Sequence, residues 1–360
     1  MKIEQSELKD LKAEVTIVIE PADYQEEVAK QLKQVRQKAQ MPGFRPGMVP
    51  AGLVKKMYGK GILADVLNKK VGEGIQKHIE DNKLAILGDP LPSENSPKID
   101  LDHEDTFTFV FDIAVAPEFD AKLNGKNKLT EYEIEVTDEM VDNQVKAYTE
   151  RFGEYIPEDK EKGTKAEVKP CAVDGELFSK VYGENAPKDE AEFRARVKED
   201  IVANMAEDSK FKFGVDAKAA IMKKLEKTSF PEDFLKRWVL ATNEKMTAEE
   251  LEKDFPKMLE ELKWHLAKDQ LMKEYNINVE KEDVEAYAKE VARMQFIQYG
   301  LMHIDDSYLT NYANEMLKNE NQLRGIVERV VENKIYEALK GIVKIESKKV
   351  SHEEFGKLFK

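Results

Sequence analysis

Met41-Pro-Gly-Phe-Arg-Pro-Gly-Met-Val-Pro50 is the stretch of this chain whose residue types most clearly ask for a partner. Two glycines and three prolines in ten residues make a loop, not a helix or a strand. At its tip stand a large apolar ring, Phe44, and a cation, Arg45. A loop that only connects two elements has no need of that pair. The flanks add charge of one sign. From Val28 to Ala64 the charged residues are Lys30, Lys33, Arg36, Lys38, Arg45, Lys55, Lys56 and Lys60, with no Asp or Glu among them. The chain holds 71 acids in 360 residues, so a window this long would carry about seven by composition alone. An all-basic window in a chain of net charge −14 reads as a local site for a polyanion.

Two helices must present that loop. Tyr24, Val28, Leu32 and Val35 fall on one helical face, which predicts a helix over 22–40. Leu53, Met57 and Tyr58 begin a second helical pattern over 50–59. A break is expected at Gly59-Lys-Gly61, then a further helix striped by Ile62, Val66, Val71, Ile75 and Ile79. The result is a helix–loop–helix with an exposed, positively charged tip.

Gly43-Phe44-Arg45-Pro46-Gly47-Met48-Val49-Pro50 resembles the G-F-R-x-G-x-x-P signature of the trigger factor family, the ribosome-associated chaperones of bacteria. The basic helices on both sides resemble that family too. Pro46 is a departure: many members have Lys there, so one phosphate contact is lost. The resemblance implies a tip that docks beside the nascent-chain exit of the large ribosomal subunit, on ribosomal protein and rRNA. Phe44 would then fill an apolar notch, and Arg45 would pair with a carboxylate or a phosphate. Gly43 and Gly47 would let the backbone approach closely, with Pro50 completing the signature. Arg36, Lys38 and Lys55 would meet rRNA phosphates, which makes binding salt-dependent.

Around that window, alternation at Ala13, Val15, Ile17 and Ile19 predicts a half-buried strand, and Phe107, Phe109, Phe111, Ile113 and Val115 predict another. Leu84–Leu87 is a short strand candidate. Residues 1–116 thus read as an α+β domain, an antiparallel sheet with long helices, which the resemblance marks as ribosome-binding. Residues 117–172 read as a linker and the start of a helical region. It contains an alternating piece at Tyr132, Ile134 and Val136, a helix begun at Thr137, and a charged, breaker-rich loop over 158–170. Trigger factors usually carry a prolyl isomerase domain in this part, and the segment near 155–172 is too short for one, since a domain takes roughly 50 residues or more. No isomerase activity is therefore expected.

Residues 173–360 read as mainly α-helical. Asp189 caps a helix buried through Phe193, Val197, Ile201 and Met205, and another runs to Leu225. Pro231 suits a helix N-terminus. Thr247-Ala-Glu-Glu250 is a capping box, and Pro256 lies within the helix it starts. The resemblance implies projecting arms that form a cradle for nascent, unfolded chains. Many methionines lie here. Most read as core filling, with Met294 and Met302 taken as exposed contacts for clients, since Met adapts to varied partners.

Nothing else points to chemistry. The five histidines lack metal-ligand spacing, Cys171 excludes an internal disulfide, and no Walker-type loop or nucleophile elbow is found. No cofactor is expected. No run of about 18 apolar residues occurs and no apolar leader precedes residue 10, so a cytoplasmic protein without a membrane segment is expected. Two readings stand. One is an ATP-independent chaperone docked at the ribosomal exit that shields new polypeptides. The other is an RNA-binding, ribosome-associated assembly factor with no client-holding activity. A weak homodimer is open under either.

Overall fold

The alternating stretches expected to be strands form the centre of an antiparallel sheet. In the computed structural model, which describes all residues except 41, 43, 46, 104, 157–166, 300–303 and 360, β1 (Lys2–Gln5), β2 (Lys12–Ile19) and two helices come first. The helices are α1 (Pro21–Lys38) and α2 (Ala51–Asp81), followed by β3 (Leu91–Pro92) and β4 (Phe107–Ala114). The strand order is β1-β2-β4-β3. Ile17 lies opposite Phe109 and Ile19 opposite Phe107. Period-two patterning puts Ala13, Val15, Ile17 and Ile19 on one buried face. There they join Phe107 and Ile113, with Tyr24 of α1 and Ile62, Val66, Leu67 and Val71 of α2. Glu20 and Asp23 close a reciprocal cap on α1, and Pro21 suits its first turn.

The expected break at Gly59-Lys60-Gly61 is absent: α2 runs unbroken for 31 residues. Each glycine costs a helix about 1 kcal/mol against alanine. Burial of Val54 before the glycines and of Ile62, Val66 and Leu67 after them outweighs that cost. A Cβ at Gly61 would meet nothing within 4 Å. Gly61→Ala is therefore expected to stabilise the protein by about 0.5–1 kcal/mol, read from the urea midpoint. A lower midpoint would mean that the glycine is needed. The strand expected at Leu84–Leu87 reduces to a single bridge between Ile86 and Val115.

The chain continues through β5 (Lys128–Ile134), α3 (Asp138–Arg151), β6 (Glu154–Ile156), β7 (Glu167–Lys169), α4 (Gly175–Tyr182), α5 (Glu190–Lys224) and α6 (Glu232–Thr242). Then follow α7 (Ala248–Glu274), α8 (Lys281–Gln298), α9 (Asp306–Lys318), α10 (Glu320–Lys340), β8 (Lys344–Val350) and α11 (His352–Lys357). Caps read from sequence are present: Thr137 accepts from the Met140 amide at 3.3 Å, Asp189 from Glu192 at 2.8 Å, and Thr247 from Glu250 at 3.2 Å. The two helices expected between Asp189 and Leu225 are one, α5, which nothing between Met205 and Phe211 interrupts. In the expected linker, the alternating piece begins earlier and ends at Ile134, as β5, which pairs in parallel with β8. Ile134, Val350 and Phe355 share a small core there with Tyr132 against it. No helix among the described residues is long and apolar enough to cross a membrane.

The chain divides into two compact units, which differ from the contiguous division 1–116, 117–172 and 173–360. The first is 1–119 with 227–260; the second is 120–226 with 261–360. The excursion 227–260 belongs with the first because it covers the sheet's second face. Arg237 of α6 pairs with Asp112 of β4. Trp238 lies so close to Gly88, at φ +70°, that a Cβ there would sit 2.8 Å from the indole. In the second unit, α3, α4 and the start of α5 bury Val141, Val145, Leu177, Phe178, Phe193 and Val197 together. A separate core joins α8, α9 and α10.

Candidate functional site

The loop between α1 and α2 is closed by its own small core. Ala39, Val49 and Val54 are buried together, with Leu32, Val35 and Leu53 packed against them. Val49 is fully enclosed. Main-chain bonds shape the turn: the Met48 amide donates to the Arg45 carbonyl at 2.9 Å, and the Gly47 amide reaches the Ala39 carbonyl at 3.5 Å. Gly47 has φ +82°, a left-handed conformation that side chains rarely adopt. The Pro50 carbonyl accepts from the Leu53 and Val54 amides at 3.0 and 3.2 Å and so starts α2. Arg36, in the last turn of α1, donates from Nε to the Val49 carbonyl at 2.9 Å.

With its base held, the tip faces solvent. Phe44 is 41 % exposed, and Arg45 is exposed beside it. Gly43 and Pro46 lie outside the described residues. Lys30, Lys33, Arg36, Lys38, Lys55 and Lys56 are exposed. Among the described residues none of these, nor Arg45, has a carboxylate within ion-pair distance. Lys60 differs: it pairs with Asp102 at 2.7 Å and leaves the free cationic set. Of the residues that begin the second helical pattern, Met57 and Tyr58 are exposed, and Val54 carries the buried face. Met48 is 67 % exposed, so the tip region is more apolar than its charge pattern suggests. The signal was present in the phase of Val54, Ile62 and Val66.

The second unit carries a groove of 970 Å³ between α5, α8 and α10. Met294 lines it and is 53 % exposed, as do Phe211 and Val215 with exposed faces of α5. Tyr287 and Tyr336 contribute rings whose burial pushes their hydroxyl pKa values up, so both stay neutral donors and acceptors. Tyr336 packs on Gly214, where a Cβ would sit 2.8 Å from its ring. Acids and bases such as Glu207, Lys210, Glu290 and Arg329 are interspersed along the walls. Near the end of α8, Phe296 stacks edge-on with Tyr312 at 4.9 Å, and Tyr299 is 83 % exposed. Met302 lies outside the described residues. The sequence singled out Met294 but not Phe211 or Val215, because an exposed apolar residue on a long helix has the same pattern as a buried one.

Glu332 lines the groove too. It accepts from Trp264 Nε1 at 2.8 Å and meets Lys268 at 3.8 Å and Arg329 at 3.2 Å. Cys171 is half-buried two residues beyond β7, its amide bonded to the Thr149 carbonyl at 3.0 Å.

A family model described as "Bacterial trigger factor protein (TF)" matches residues 1–148, and one described as "Probable trigger factor, C-terminal domain" matches residues 209–359. Among curated proteins, the chain is 30% identical to the trigger factor of Methylobacterium sp. (strain 4-46) over 173 residues, 47% of this chain and 35% of that one. It is 34% identical to the trigger factor of Bordetella petrii over 134 residues, 37% of this chain and 30% of that one. The match therefore spans about a third of the length of these relatives. A solved structure described under "Promiscuous Substrate Recognition in Folding and Assembly Activities of the Trigger Factor Chaperone" is similar at a TM-score of 0.49 and 14% identity, covering 94% of this chain and 99% of that one.

Proposed function

The chain belongs to the trigger factor family, and on that premise we propose that it is an ATP-independent chaperone that docks at the nascent-chain exit of the ribosome. The observation that carries this reading is the tip: an exposed Phe44 beside an exposed Arg45 with no carboxylate in ion-pair distance among the described residues, on a loop between cationic helices, in a chain of net charge −14. Phe44 meets an apolar notch on ribosomal protein, and Arg45 meets a carboxylate or an rRNA phosphate. Lys38 and Lys55 lie exposed on the two helices that carry the loop and add phosphate contacts. The acidic remainder keeps the protein off bulk RNA and leaves the tip to select the site.

The groove is the proposed client surface. Its mixed lining suits extended segments of varied sequence: Met294, Phe211 and Val215 offer apolar contact, and the interspersed charges admit polar residues. Clients leave by folding or with the ribosome. The protein acts in the cytoplasm and without isomerase activity. In support, 157–166 is flanked by the short strands β6 and β7, and beyond them Phe152, Cys171 and Val173 pack against the helical core of α3, α4 and α5.

Full-length protein is expected to suppress aggregation of a chemically denatured model protein, and Val215→Glu/Met294→Glu to do so several-fold less, with ribosome binding kept. No suppression by the unaltered chain would sink the client role and favour an RNA-binding assembly factor.

A further inference from the structure

We propose that Arg36 is the positioning residue of the docking tip, acting through the Val49 main chain and not through a phosphate. This rests on the docking reading above. The loop leaves α1 at Ala39 and rejoins at Val49 and Pro50, and its two ends are pinned where Ala39, Val49 and Val54 meet. Burying Val49 takes its carbonyl towards the interior, where an unmet acceptor is costly. The first-turn amides of α2, those of Leu53 and Val54, are taken by the Pro50 carbonyl. Arg36 supplies the donor, 13 residues back in sequence, through Nε at 2.9 Å. No carboxylate competes for the guanidinium among the described residues.

Nε is the donor nearest the stem of a rigid, planar group, so the bond fixes both distance and direction. A lysine keeps the charge but offers a mobile point donor at the end of its stem, and so does not reproduce that geometry. With the bond gone, the base of the loop loosens, and ordering Phe44 and Arg45 against a partner costs conformational entropy that is otherwise already met. A phosphate contact would behave differently: charge alone would serve, and its loss would change the salt dependence of binding.

Binding of the full-length chain to purified ribosomes over a salt series, with amide hydrogen exchange of the free protein, separates the two roles. Arg36→Lys is expected to lower affinity about tenfold at every salt concentration and leave the slope of log K against log salt unchanged. Lys38→Ala, which removes a charge, should make that slope shallower by about 0.7–0.9. In the free Arg36→Lys protein, the amides of Gly47, Met48 and Val49 should exchange faster while those of α2 do not change. Arg36→Lys binding like wild type, or unchanged exchange at 47–49, would overturn the proposal. If Phe44→Ala/Arg45→Ala binds like wild type, the docking reading itself falls. The exchange measurement needs no ribosome and still reports whether Arg36 holds the loop.

Discussion

Phe44→Ala/Arg45→Ala is expected to reduce ribosome affinity by about a hundredfold or more and to leave the thermal midpoint where it is. Two hot-spot residues at about 2 kcal/mol each would give at least that loss, with 1.4 kcal/mol per decade. The fold should not notice, because Phe44 is 41 % exposed and the loop is anchored by Val49 and not by the tip. The single variants separate the two contributions. Phe44→Ala should weaken binding equally at all salt concentrations, since an apolar contact releases no counterions. Arg45→Ala should weaken it most at low salt and make the slope shallower if its partner is a phosphate. Co-sedimentation that is the same for the double variant and wild type would take the loop out of the mechanism.

Glu332→Ala should cost about 3 kcal/mol of stability, read as a lower urea midpoint for the second unit. The side chain is 13 % exposed and the Lys268 side chain 8 %. Removing the carboxylate strands the Lys268 ammonium in a nearly closed site and leaves the Trp264 N–H without its acceptor at 2.8 Å. Glu332→Gln keeps an acceptor for Trp264 and should fall between the two. A cost below 1 kcal/mol for the alanine variant would show that water reaches in to solvate the Lys268 ammonium and the Trp264 N–H.

Much of the first unit was legible because its signals are local. Alternation at Ala13–Ile19 needs no knowledge of the partner strand, and Gly/Pro density announces the 41–50 loop wherever it points. The caps at Thr137, Asp189 and Thr247 were likewise short-range. What escaped depends on distant residues. The glycines at 59 and 61 look like a breaker until the packing of Val54 and Ile62 on either side is known. β8, Lys-Ile-Glu-Ser-Lys-Lys-Val, lacks alternation and is held by β5, more than 200 residues earlier in the chain, including a Lys128–Glu346 pair at 2.6 Å. Arg36 looked like any other cation of the basic window, because a bond to a main-chain carbonyl leaves no trace in residue types. Pro231 marked the start of α6 but not that β4 and Gly88 lie beneath it.

The return of 227–260 to the first unit bears on the order in which the protein is made. Strands β1 to β4 leave the ribosome long before α6, so the sheet spends that interval with Asp112 and the Gly88 notch uncovered. Closing so long a gap is slow relative to local pairing. A molecule whose proposed task is to guard unfinished chains must therefore itself pass through a half-clad stage during synthesis, and the arrival of Trp238 ends that stage.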